Sequence, residues 1–180
     1  MRGGAIAGLP AATMVFVAVA AGTAGFGIPA GLAWAALAPR ALLQVVGRGA
    51  AVVVHPETSA FITVDAWFCI IAAVGGVVTG VIGYRVAVRR WGAVAALGLI
   101  AGAVAAGLIT LWLGSHVGLA GFHHRLAVSA PGTRIYSSLA LGATSALAFW
   151  PMFTALVIVA GEVGARYRQS GARRSRAQEA

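Results

Sequence analysis

Pro56-Glu57-Thr58-Ser59-Ala60-Phe61-Ile62-Thr63-Val64-Asp65-Ala66-Trp67-Phe68 is where an irregular, polar segment becomes a long apolar one. Pro56 suits the first position of a helix, where a missing N–H costs nothing. Thr58 and Ser59 are residue types that cap helix starts. After Asp65 the next charged residue is Arg85. Helix of that length and composition matches the ~20 residues that cross a bilayer, so a membrane span is expected over 60–87. The same stretch holds Glu57 and Asp65, two of only four carboxylates in 180 residues.

Upstream, Leu9 to Pro39 carries no charge, and a first span is expected over 9–39. A cleavable signal is the rival reading, with Ala18-Val19-Ala20 as its processing site. The apolar run continues well past that point, unlike a signal core of about 7–15 residues. Pro29 is expected to kink this helix. Gly25-Phe26-Gly27-Ile28-Pro29-Ala30 matches a dinucleotide fingerprint by letter, but no βαβ unit surrounds it. Between the two spans, Leu42–Val46 and Ala51–Val54 flank Gly47-Arg48-Gly49, which reads as a β-hairpin.

Downstream, Arg85, Arg89 and Arg90 end the second span. A third is expected over 91–114, with Trp91 and Trp112 near its ends as interfacial anchors. Residues 115–138 form a second polar loop with a turn at Pro131-Gly132. A fourth span follows over 139–161, interrupted by Pro151. Residues 1–165 then form the transmembrane domain, and 166–180 a basic tail that frays into disorder. Gly27/Gly31, Gly76/Gly80 and Gly98/Gly102 are small-xxx-small pairs expected at helix contacts. The fold class is an all-α membrane protein, a four-helix bundle with a short extracytoplasmic β-hairpin between helices 1 and 2.

Composition agrees. The chain is 60% hydrophobic and 9% charged, against about 25% charged for a soluble domain. The net charge of +9 comes from thirteen arginines and no lysine. They cluster between apolar runs, which argues against nucleic acid as a partner and for the positive-inside pattern. Arg2, Arg85, Arg89, Arg90 and the tail arginines lie on one side. Arg40, Arg48, Arg125 and Arg134 lie on the other, which places both termini on the cytoplasmic side. Arginine without lysine, with abundant Ala, Gly and Val, suits a GC-rich bacterial genome, so a bacterial plasma membrane is expected. Contact of the tail and inner-loop arginines with anionic lipid head groups is one reading of them, although the topology rule alone explains them.

Few residues can carry chemistry. Asp65, at the outer end of an apolar span, pairs with Arg40, Arg125 or Arg134, Arg40 being the first choice, or binds a cation, proton or polar head group together with Glu57, or is a solvated helix-entry charge. His55, His116, His123 and His124 fall on the same side, and imidazole with carboxylate suits zinc. No recognised ligand spacing links them, so they read as loop-surface histidines, and no metal or other cofactor is expected. The single Cys69 reads as a core hydrophobe. No G-x-S-x-G elbow is present. Glu162 and Arg166 are spaced for a helix-end ion pair, and Trp150 beside Pro151 reads as packing around a kink.

The run P-E-x-x-x-F-x-x-x-D-x-W-F, with Trp34 and Pro39-Arg40 before it, resembles a family of small actinobacterial four-helix membrane proteins of unknown function. The resemblance covers about Trp34 to Arg90 and implies the same architecture but no activity. His55 departs from the acidic residue expected before the Pro-Glu. Three functional readings follow: a non-enzymatic scaffold or accessory component of the envelope, a small transporter or permeation subunit built on Asp65, or a membrane enzyme acting on a lipid-linked substrate at the outer leaflet. The partners expected are the bilayer and a membrane protein or a second copy of the chain.

Overall fold

The computed structural model describes residues 4–40, 42–47, 50–53, 60–117, 119, 124, 128–130, 132–137 and 139–178. In chain order the elements are α1 (Gly4–Gly25), α2 (Gly27–Leu37), β1 (Leu42–Gly47), β2 (Ala50–Val53), α3 (Ala60–Gly83), a π-helical turn (Tyr84–Val88), α4 (Arg89–Trp91), α5 (Ala93–His116), β3 (Arg134–Tyr136), a 3-10 turn (Thr144–Ala148) and α6 (Phe149–Gln178). Among the described residues, four helical stretches are long and apolar enough to cross a membrane: Ala11–Leu37, Ile62–Trp91, Ala93–His116 and Thr144–Ser170.

The two prolines act differently from each other, and only Pro151 departs from the sequence expectation. Pro29 has no N–H to offer the Gly25 carbonyl, and the first span breaks at Phe26, between α1 and α2. Phe26 N–H instead donates to Thr23 O at 3.1 Å. Pro151 interrupts nothing. Leu139–Ala143 is not helical, the 3-10 turn precedes α6, and Pro151 falls in the first turn of α6, where proline is tolerated. At its other end α6 continues as helix to Gln178 rather than giving way to disorder. The second and third spans are joined at Gly92, whose φ of 57° and ψ of −133° suit glycine alone.

The glycine pairs lie at helix contacts and set the directions of packing. A Cβ at Gly27 would sit 2.5 Å from Ala106 O, and one at Gly31 would sit 3.1 Å from Thr110 O. On the facing helix, a Cβ at Gly98 or Gly102 would sit 2.9 Å from Phe16 O or 2.5 Å from Ala20 O. Numbers rise together along both helices, so α1–α2 and α5 run parallel. The same holds for α3 and α6: Gly76 meets Trp150, Phe153 and Thr154, and Gly80 meets Thr154 and Val157. Backbones this close allow hydroxyls to bridge helices, as Thr110 does to Gly27 O at 3.2 Å and Thr154 to Gly76 O at 3.2 Å.

Two apolar clusters fill the bundle. The larger holds Trp34, Phe68, Ala72, Leu139 and Trp150. Trp34 meets Phe68 edge-on with ring centroids 5.2 Å apart, and its indole N–H donates to Val64 O at 3.1 Å. The smaller, at the opposite end, holds Ala87, Val88, Ala95, Leu99 and Ile158.

The hairpin is present and gains a partner that the sequence reading lacked. β3 pairs antiparallel with β1, giving the strand order β2-β1-β3. Ile135 stands opposite Leu43, and Arg134 opposite Gln44. Strand alternation buries Val45 and Ile135 and turns Gln44, Val46, Val52, Arg134 and Tyr136 outward. The sheet thus has one face with buried Val45 and Ile135 and an exposed opposite face.

Candidate functional site

Asp65 lies in the second turn of α3, at the end of the bundle that bears the sheet. Its Oδ1 accepts the backbone N–H of Gly142 at 2.9 Å, and its Oδ2 accepts that of Ala143 at 2.9 Å. These amides immediately precede the 3-10 turn that leads into α6, where backbone donors have no carbonyl one turn back to meet. Ala143 occupies the capping position of that turn and offers no side-chain cap of its own. Asp65 supplies the acceptor from a neighbouring helix, and its charge faces the positive end of the helix dipole. A Cβ at residue 142 would lie 3.0 Å from Oδ2, so glycine lets the carboxylate come in close.

Asp65 is therefore held by backbone amides and not by Arg40, the partner expected first. Arg40 makes a long 3.5 Å contact from Nη2 to Ala35 O. Together with Tyr136 it lines a shallow cleft of about 460 Å³ beside Ala35, Ala36 and Ala38. Arg134 is exposed on the outer face of β3, in the cross-strand row of Gln44 and Val52. Glu57, Arg125, His55 and His123 lie outside the described residues. His116 stacks on Trp112 with centroids 4.8 Å apart, and its Nδ1 lies 2.7 Å from Trp112 O at the end of α5. His124 is exposed. Among the described residues, no group of three His, Cys, Asp or Glu side chains is placed to hold a metal.

A second feature sits at the opposite end and was not singled out in the sequence. A groove of about 640 Å³ runs between Val81–Arg89 and Val157–Gln169. Its floor exists because α6 presents Ala160, Gly161, Gly164 and Ala165 there. A Cβ on Gly161 would meet the Tyr84 ring at 2.5 Å. Arg85, Arg89 and Arg168 line its outer part. The sequence signal was available as two overlapping small-xxx-small pairs, Ala160/Gly164 and Gly161/Ala165. The long apolar run around them signals a membrane-length helix more strongly than a contact face.

The chain matches no family model, no curated protein and no solved structure.

Proposed function

We propose that the chain is a multi-pass protein of a bacterial plasma membrane, with both termini cytoplasmic. It serves as a non-enzymatic scaffold or accessory component of the envelope and presents its three-stranded sheet outside, to a partner protein. Exposed Met14, Ile62, Ile70, Val74, Leu97 and Leu156 on the four long helices suit contact with lipid rather than water. The arginine distribution supports the orientation.

The observation that carries the scaffold reading is the use made of Asp65. A carboxylate that relays protons or passes ions must exchange partners. This one has each oxygen engaged by a fixed backbone N–H, which anchors the segment following β3. Leu139, packed in the Trp34 cluster, anchors the same segment from within. That segment follows β3, and the sheet's outward face carries Val46, Val52 and Tyr136, each more than half exposed. Aromatic and aliphatic side chains around a few polar ones suit a protein contact.

The test begins in a Cys69→Ala background. Gln44→Cys should label with a membrane-impermeant maleimide in intact cells, whereas Gln169→Cys should label only after lysis. The reverse pattern overturns the orientation. A photo-crosslinking residue at Val52 or Tyr136 should then trap one discrete adduct in cells. Absence of an adduct from both positions overturns the scaffold reading.

A further inference from the structure

We propose that the groove between the π-helical turn and α6 binds a phospholipid with a net negative head group. The inference rests on the membrane reading above and goes beyond it, because scaffolding requires no ligand at this end.

The groove's shape follows from how its walls are built. The second and fourth spans run parallel here, so residue number measures depth on both walls at once. At about 1.5 Å per residue, Val81 and Val157 lie at the inner end, and Arg89, Arg168 and Gln169 lie at the outer. The lining therefore grades from apolar (Val81, the Tyr84 ring, Val157, Ala160) to cationic (Arg85, Arg89, Arg168). No acidic residue is among the lining residues. Among the described residues, none of the three guanidiniums is engaged in an ion pair or a hydrogen bond. Arg85 and Arg89 stand four apart and so share one side of their helix, while Arg168 approaches from α6.

Three arginines lining one cleft from its two walls suit a phosphate, which takes paired N–H donors in a fork. Charge alone does not explain the inner half. Val157, Ala160 and Gly161 give a soluble anion nothing to bind, whereas an acyl chain continuing from the phosphate would lie along them. A zwitterionic head group brings its own ammonium against the arginines, so a net-negative one is favoured. The volume of about 640 Å³ falls in the usual range of about 300–1,000 Å³ for small-molecule sites, enough for a head group and the start of a chain. The π-helical turn that carries Tyr84 and Arg85 is a rare conformation, found disproportionately at functional sites.

The test uses the full chain in detergent micelles and native mass spectrometry, with phosphatidylglycerol and phosphatidylcholine of identical chains added separately. One phosphatidylglycerol should be retained at least about tenfold more tightly than phosphatidylcholine. Arg85→Gln/Arg168→Gln should lose about tenfold of that affinity. Arg90→Gln/Arg166→Gln removes the same charge from outside the groove and should change little. Equal losses in the two variants would mean diffuse attraction only and would overturn the proposal, as would equal retention of the two lipids. Ala160→Phe fills the apolar half from an exposed position and should also release the lipid. Full competition by glycerol phosphate, with Ala160→Phe silent, would overturn the lipid in favour of a soluble anion. Alkaline extraction of cell membranes tests the underlying reading separately. A chain that resists extraction yet shows no lipid preference refutes the groove alone.

Discussion

The two ends of this bundle solve opposite problems with the same kind of helix. At the sheet end, side chains are large and their polar atoms are matched. Trp34 and Trp150 are almost fully buried, and both indole N–H groups have acceptors, Val64 O and Thr79 Oγ1. The Asp65 carboxylate is bound by two amides. At the basic end, side chains in the contact are small and the charges open onto a groove. A buried polar group needs its partner inside the fold, whereas a charge at a cleft mouth is available to a ligand. The lesson is that charge content does not locate function here. The carboxylate near the start of the second span marks the built end, and the arginines that topology alone would explain mark the open one.

Mutations can sharpen or break that contrast. The largest effect is expected at the sheet end for Trp34→Ala, which empties the space against Phe68 and Gly114. It should lower stability by about 3–5 kcal/mol, read by unfolding in detergent. Trp91→Ala, at the basic end on a side chain 54% exposed, should cost within about 0.5 kcal/mol. Similar losses for the two would erase the difference between the ends. Next comes Asp65→Ala, which strands two N–H groups and should cost about 1–3 kcal/mol. Arg40→Gln should leave stability nearly unchanged, and the two substitutions together should be additive because the residues do not touch. A coupling well above about 0.5 kcal/mol would restore the ion pair that the geometry replaces. Smallest is Arg85→Gln, at an exposed side chain, within about 0.5 kcal/mol. A large loss there would make the groove a structural element.

Much of the fold was legible in the sequence for simple reasons. Charge-free runs longer than a bilayer's need announce long apolar helices, and Gly47-Arg48-Gly49 between β-prone runs announces a hairpin. β3 was not legible. It is three residues long, and its partner strand lies about ninety positions earlier, so neither periodicity nor a tight turn points to the pairing. The alternation Arg134-Ile135-Tyr136, out-in-out, is the only trace it leaves. The partner of Asp65 was hidden more deeply. A search for a cation near a carboxylate looks among side chains, and the groups that hold it are backbone amides. Their position was also obscured, because Leu139–Ala143 is apolar enough to pass for the start of the fourth helix. Pro151 contained the correction: proline tolerated in a first turn places the α-helix start at Phe149 and leaves the preceding amides in need of an acceptor.

That acceptor is the central structural claim, and amide hydrogen exchange tests it most directly. In the intact protein the Gly142 and Ala143 amides should exchange slowly although they lie outside any helix or strand. In Asp65→Ala both should become fast, while the amides of α5 and the hairpin keep their protection. Fast exchange at Gly142 and Ala143 in the unaltered protein, or unchanged protection in Asp65→Ala, would contradict the account.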